Sequence, residues 1–413
     1  MHHSGPDPSP VTTVSGIPGS VPFASFLLQT EVRFGPGVAM DLVPALAPYG
    51  DRILVVTDLG VRLTGLVDQI LAPVIAAGVT ITVYDEVSPN PRDHECRAAA
   101  DLAIAVDATV IVAIGGGSPI DAAKCAAALA TNGGTARDWA VPRRLGADPL
   151  PLIAIPTTAG TGSEVTRGAV ITDEQHRTKL TVKDSRMAPR LALVDPLLTH
   201  SVPPGVTAAT GMDVLTHAIE AYTGRRATPV SDALALHAIR LVAANLANAY
   251  EHGDDADARE GMMMASLIAG MAFGNADVAA VHCLAEALGG RYDTPHGVAN
   301  AVMLPPVMRY NIVTASQRHA GVAAALGIDT RGLTDDVAAD RAVDAVAALA
   351  YRLEIPRLSE LDRVTATDFP ALALTAAANS STPSNARLID AAGYEAILTE
   401  TWGGRTDGVI WRV

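Results

Sequence analysis

The chain has 413 residues, 49% hydrophobic and 18% charged, which is long enough for two domains and apolar enough to bury a core in each. A formal net charge of −14 provides no basic field to attract phosphate backbones or anionic lipid, so nucleic acid and membrane are excluded as partners. Aromatics are only 4%, so Ala, Val and Leu must do the packing. Three cysteines, Cys96, Cys125 and Cys283, lack CxxC spacing and read as buried free thiols in a reducing, cytoplasmic setting. No apolar run of about 18 residues stands out, so no membrane span is expected.

Residues 1–22 are rich in Pro, Ser and Gly, lack the regions of a signal peptide and read as a flexible tail. Then "EVRFGPG" reads as a strand and turn, "RILVVTD" as a buried strand ending at Asp58, and "GVRLTGLVDQILAPVIAAG" as one helix. "TITVYDEV" is the next strand, followed by the "SPNP" turn, the helix "HECRAAADLAIAVDA" and the strand "TVIVAIGGGSP". Apolar strands alternating with helices predict a mostly parallel sheet covered on both faces, a Rossmann-like α/β domain over 23–198. From about Val202 the texture changes to long Ala-rich segments with helical spacing and little β-branching. An all-helical domain is predicted over 199–413, with "PSNARLIDAAGYEAILTETW" as its last helix.

"VAIGGGSPIDAAK" places glycines where a strand ends and a helix begins. Glycine lets backbone approach a pyrophosphate, and a helix start offers free N–H groups, so Gly116, Gly117 and Ser118 are candidates for phosphate binding. A tight strand-to-helix turn explains the same letters. Asp58 at the end of an earlier strand can accept from adenosine ribose hydroxyls and disfavour a 2′-phosphate, pointing to NAD, or it can cap a helix. Asn90 can touch adenine or simply serve its Pro-flanked turn. Thr157, Thr158, Thr161 and Ser163 in "PTTAGTGSE", with Lys179 in "RTKLTV", are further cofactor candidates.

Asp213 and His217 in "GMDVLTHAIEAY" are four apart and share one helix face. His282 opens a further apolar helix, and His296 follows after a Gly-Gly turn in a Pro-His-Gly corner. One carboxylate with three imidazoles suits Fe²⁺, or alternatively Zn²⁺, and is too rich in nitrogen for Mg²⁺ or Ca²⁺.

Together, "GGGSPID", "PTTAGTGSEVT", "ATGMDVLTHAIEAY" and "TPHGVANAVMLPPVMRYN" resemble the iron-containing (group III) alcohol dehydrogenase family over residues 23–405, with a pattern similar to lactaldehyde and 1,3-propanediol reductases. The resemblance implies a sheet domain and a helical domain with a cleft between them. It implies NAD(H)-linked alcohol oxidation or carbonyl reduction at a divalent metal held by Asp213, His217, His282 and His296. It further implies cofactor contacts from Asp58, Asn90, Gly117, Ser118, Thr157, Thr158, Thr161 and Lys179, Asp121 near the nicotinamide, Phe273 lining the substrate pocket, and a homodimer or larger assembly. Two positions depart from the family pattern. Glu286 stands where relatives carry a histidine thought to help proton transfer, and Gly168 stands where they carry a larger side chain. Glu286 could relay a proton, bind the metal or pair with a cationic substrate. Other readings are a hydroxyacid–oxoacid transhydrogenase, a maleylacetate-reductase-like enzyme, and a non-catalytic nucleotide- or metal-binding regulator.

Overall fold

The computed structural model describes residues 26–403, so the expected tail at 1–22 lies outside the described residues. Six parallel strands form one sheet: β1 Glu31–Phe34, β2 Arg52–Val56, β3 Thr80–Tyr84, β4 Val110–Gly115, β5 Leu152–Pro156 and β8 Leu191–Val194. Their spatial order is β1-β8-β5-β4-β2-β3. Two more strands, β6 Gly168–Asp173 and β7 Thr178–Lys183, pair with each other as an antiparallel hairpin. Side chains of β2 alternate between faces, with Ile53 and Val55 in one core and Leu54 and Val56 in the other. Both cores need helices to cover them, which is why the strands read as continuous apolar runs.

The strand ends matter most for function. β3, β2, β4 and β5 are consecutive neighbours, and Gly115 of β4 pairs with Pro156 of β5. Asn90, Asp58, the glycine turn and the Thr157–Thr158 loop follow those four strands in turn and line one edge of the sheet. In open α/β sheets, ligands bind outside the carboxyl ends of the strands.

The second half is a bundle built on Pro204–Thr223, Pro229–Glu251, Ala256–Ala276, Ala280–Tyr292, His296–Ala325 (kinked at Ala315) and Asp335–Arg352. Alanines dominate the buried positions, including Ala218, Ala238, Ala265, Ala269 and Ala342, and small side chains allow close helix approach without aromatic filler.

Three expectations need correction. The segment after β2 is two helices, Leu59–Leu63 and Leu66–Ala76, because Gly65 adopts φ 81° and turns the chain between them. Gly289 and Gly290 are not a turn; they lie inside the helix Ala280–Tyr292, which ends where Asp293 takes φ 61°. The last helix is Ala391–Trp402 alone, since the preceding segment forms only a short 3₁₀ turn at Thr382–Ser384. The helix Pro229–Glu251 is long and apolar enough, by length and composition, to cross a membrane. Here it packs its Ala238, Ile239, Val242 and Leu246 into the bundle core.

Candidate active site

Three separate helices bring the metal candidates together. Asp213 and His217 sit mid-helix in Pro204–Thr223, His282 lies in the first turn of Ala280–Tyr292, and His296 is the first residue of His296–Ala325. One ligand atom from each lies within 4.8 Å of all the others. Asp213 Oδ1 is 3.8 Å from His282 Nε2 and 3.7 Å from His296 Nε2, and Asp213 Oδ2 is 3.9 Å from His217 Nδ1. Asp213, His217 and His282 are buried, while the His296 side chain keeps 29% of its exposure and opens the group outward.

The electrostatics suit a cation. Burial holds His217 well below the ordinary histidine range, with His282 adding to the shift. Burial also takes His296 down to about 4, against the pull of Asp213. Both rings are therefore neutral near pH 7, as ligands must be. His217 Nδ1 is buried with no hydrogen-bond partner among the described residues. An orphaned imidazole nitrogen beside a carboxylate and two more imidazoles fits a bound divalent ion, and the three-nitrogen, one-oxygen donor set fits Fe²⁺ or Zn²⁺.

Two residues of this centre went unnoticed in the sequence. Glu220 accepts from Ala279 N at 2.8 Å and Val281 N at 2.7 Å, and pairs with His282 Nδ1 at 2.6 Å. It thus caps the start of the 280–292 helix and turns the other ring nitrogen of His282 toward Asp213. Burial lowers the His282 pKa, but Glu220, with Asp213 and Glu286, outweighs it and the net shift is upward. Its signal was the 213/217/220 spacing, a single helical stripe. Asn300, four residues after His296, places Nδ2 against Asp213, His282 and His296.

Phe273 stacks on His217 with ring centroids 4.2 Å apart and planes 13° apart, forming an apolar wall beside the ligands. Glu286 lies one turn beyond His282 and accepts from Asn379 Nδ2 at 2.7 Å. Burial pushes Glu286 above the ordinary carboxylate range, opposed by His282, Asn379 and Lys179. At Gly168 the nearest atoms to an added Cβ would be Val182 O at 3.7 Å, Lys183 Cγ at 3.8 Å and Lys183 Cβ at 3.9 Å, so the backbone there would tolerate a side chain.

On the sheet side the glycine turn and the threonine loop interlock. A Cβ on Gly117 would lie 2.5 Å from Thr161 Cγ2, so only glycine fits under that loop. Thr158 flanks Gly116 in the same way, with Oγ1 3.1 Å from the added atom. Ser118 Oγ donates to Pro89 O. Thr157 is buried beside Pro156. Asp58 accepts from Val61 N at 2.9 Å, so its helix-capping role is present.

Asn90 does more than serve a turn. It donates to Asp293 Oδ1 at 2.8 Å and accepts from Lys179 Nζ at 2.7 Å, joining the sheet to the end of the 280–292 helix. Lys179 also donates to Thr172 Oγ1 at 2.8 Å, and burial takes its pKa down to about 8 against the pull of Glu286. Asp121 is engaged on both oxygens, by Ser163 Oγ and by Val170 N at 2.8 Å. Beneath it the fully buried Lys124, unremarked in the sequence, donates to Ser163 Oγ at 2.6 Å, Thr166 Oγ1 at 2.9 Å and Gly168 O at 2.9 Å. Asp121 and Ser163 therefore brace the threonine loop. A last contact ties loop to bundle: a Cβ on Gly270 would lie 2.9 Å from Gly162 Cα, so the backbones of the loop and the 256–276 helix touch.

The comparisons with known proteins identify the family. Residues 29–196 match the model of the iron-containing alcohol dehydrogenases, and residues 207–402 match that of the C-terminal domain of the Fe-containing alcohol dehydrogenase family. A 1,3-propanediol dehydrogenase of Citrobacter freundii is 43% identical over 341 residues, covering 82% of this chain and 88% of that protein. An NAD-dependent methanol dehydrogenase of Bacillus methanolicus is 36% identical, covering 88% of this chain and 96% of that protein. A crystal structure of a 1,3-propanediol oxidoreductase superposes with a TM-score of 0.88 at 40% identity, covering 92% of this chain and all of that one. The chain belongs to the iron-containing alcohol dehydrogenase family, whose members use NAD(H) and a metal to interconvert small alcohols and their carbonyl compounds.

Proposed function

We propose that Asp213, His217, His282 and His296 hold the divalent metal, Fe²⁺ first and Zn²⁺ as the alternative. The observation that carries this is the convergence of their four ligand atoms around an orphaned His217 nitrogen. The bound cation supplies Lewis acidity toward the alcohol or carbonyl oxygen, and NAD(H) exchanges the hydride. The division of labour falls near residues 198 and 199, with the dinucleotide on the sheet side and the metal on the helical side.

The chain's own residues do the rest. Gly116, Gly117 and Ser118 present backbone to the pyrophosphate at the start of the helix Gly117–Asn132. Thr157, Thr158 and Thr161 close over it, and Asp58 accepts from the adenosine ribose. Asn90 and Lys179 stand together beside the bundle, where Lys179 reaches the nicotinamide end. Asp121 and Ser163 hold the threonine loop in place. Phe273 presses the substrate's carbon chain against the His217 side and excludes water. Glu286, with its pKa raised and Asn379 holding one oxygen, keeps a carboxylate one turn from His282 that can take up the proton of the alcohol.

The substrate reading follows the relatives: a short primary alcohol or diol, oxidised to the aldehyde. The working form is a homo-oligomer in the cytoplasm. Exposed apolar side chains at Leu27, Leu28 and Met40, flanking the edge strand β1, support self-association. The test is an NAD(H)-linked screen of alcohols and aldehydes on protein reconstituted with Fe²⁺ or Zn²⁺. Turnover that is lost in His282→Ala together with the metal supports the assignment. A His282→Ala protein that keeps metal and turnover overturns it.

A further inference from the structure

Arg259, near the start of the helix Ala256–Ala276, is only 4% exposed. Its Nε donates to Gly253 O at 2.8 Å, Nη1 to Thr207 Oγ1 at 2.8 Å and Nη2 to Val202 O at 3.1 Å. A guanidinium carries five N–H groups, so two are left without an acceptor among the described residues. All three acceptors are neutral. Burial lowers the Arg259 pKa and no acidic neighbour offsets the shift. The other buried cation, Lys124, has Asp121 at 3.5 Å. A buried charge is costly unless an opposite charge balances it.

Thr207 adds a further donor. Its oxygen accepts from Arg259, so its own hydrogen must point elsewhere. In the same helix Thr210, Thr216 and Thr223 donate to the carbonyl four residues earlier, those of Val206, Met212 and Ile219. Thr207 makes no such bond, and its hydroxyl hydrogen has no acceptor among the described residues. Arg259 and Thr207 line a cavity of about 10 Å³, room for one water or one small ion. Its other walls include Ala159 of the threonine loop, Thr199 and Val202 of the link between the domains, and Thr210. The hydroxyl hydrogens of Thr199 and Thr210 are already committed to Pro196 O and Val206 O. A water would answer the free donors but leave the positive charge unbalanced. A carboxylate or phosphate is too large for the space. A monovalent ion of halide size meets both demands.

We propose that this cavity is a binding site for one chloride-sized monovalent anion, held by the guanidinium of Arg259 and the hydroxyl of Thr207. The site stands apart from the proposed metal centre and needs neither metal nor dinucleotide. Its walls join three parts of the fold. The threonine loop rests directly on the helix Pro204–Thr223 here, since a Cβ on Gly160 would lie 2.8 Å from Thr210 Cβ. The anion ties that loop and the link between the domains to the bundle, and stabilises the folded chain by mass action.

The experiment uses the full chain. Crystals soaked in sodium bromide should show an anomalous peak between the Arg259 guanidinium and Thr207 Oγ1. In solution, the melting temperature is followed as sodium chloride replaces sodium gluconate at constant ionic strength. A saturable rise is expected, roughly 2 °C at about tenfold excess over the dissociation constant. Arg259→Met should abolish it. Thr207→Val removes one donor, should move the chloride midpoint up about 10–100-fold, and serves if the methionine variant does not fold. A bromide map with no peak at this place means a water only and overturns the proposal. A peak without a saturable rise, or a rise that the folded variants keep unchanged, means an adventitious ion only and overturns it as well.

Discussion

Glu220 Oε2 and His282 Nδ1 lie 2.6 Å apart, and the same carboxylate accepts from two backbone N–H groups of the helix that carries His282. One side chain therefore sets where that helix starts and which way the His282 ring points. Glu220→Gln should lower divalent-metal affinity by about 10–100-fold, because the replacement loses the charge that orients and strengthens the imidazole. Metal content by mass spectrometry and kcat/KM after reconstitution should fall together. Glu220→Ala should also lose stability, about 1–3 kcal/mol for each buried N–H left unpaired.

Lys179 gives a pH signature. Its folded value of about 8 is below the ordinary lysine value of 10.5. Between those values the folded state holds fewer protons than the unfolded chain, so stability rises with pH across that window. Below about 8 the cost of the buried ammonium is fully present. Lys179→Met should remove this slope from a plot of melting temperature against pH. In the wild type the KM for NAD should rise above pH 8 as the charge is lost; in Lys179→Met it should be high at every pH.

Glu164 gives the opposite slope at lower pH. Burial raises it to about 7 from the ordinary glutamate value of 4.5, and Oε1 has no partner among the described residues. The folded state therefore holds more protons between those values, and stability falls as pH rises through them, with the cost fully present above 7. Glu164→Gln should flatten the melting temperature between pH 4.5 and 7. An unchanged slope would assign that pH dependence to other groups.

Gly270 and Gly162 meet backbone to backbone where the threonine loop rests on the bundle. Gly270→Ala should push the two halves apart at a cost of about 1–3 kcal/mol, typical of overpacking. Because the displaced loop carries Thr157, Thr158 and Thr161, KM for NAD should rise more than KM for the alcohol. Equal effects on both would place the strain elsewhere.

Asp58 has a capping bond and a proposed ribose contact. Asp58→Gly should cost only a few tenths of a kcal/mol as a cap change. It should still raise kcat/KM with NADP relative to NAD, measured side by side. An unchanged ratio would leave Asp58 as a cap alone.

How much of this was legible depended on range along the chain. Asp213 and His217 could be paired because helical spacing is local, and the glycine turn could be placed because strand and helix patterns flank it. Glu220 sat on the same stripe and was missed only because its partner, His282, lies 62 residues away. Asn90 read as an adenine contact or a turn residue; its bond to Asp293 spans 203 residues and has no local signal. Lys124 drew no notice in the sequence, yet it is wholly buried with three oxygen acceptors supplied by the following loop and strand.

By itself the sequence determined the alternation that makes a parallel sheet, the alanine-rich stripes that make a bundle, and the residue types able to hold a cation and a pyrophosphate. These follow from side-chain period, steric freedom and donor chemistry, all properties of neighbouring residues. Only the tertiary structure decided that Asp213, His217, His282 and His296 come together from three helices, that Glu220 holds His282 from behind, and that Asn90 and Lys179 stand where sheet meets bundle. Those relationships depend on how helices cross and where strands end, and both are set by packing across the whole chain.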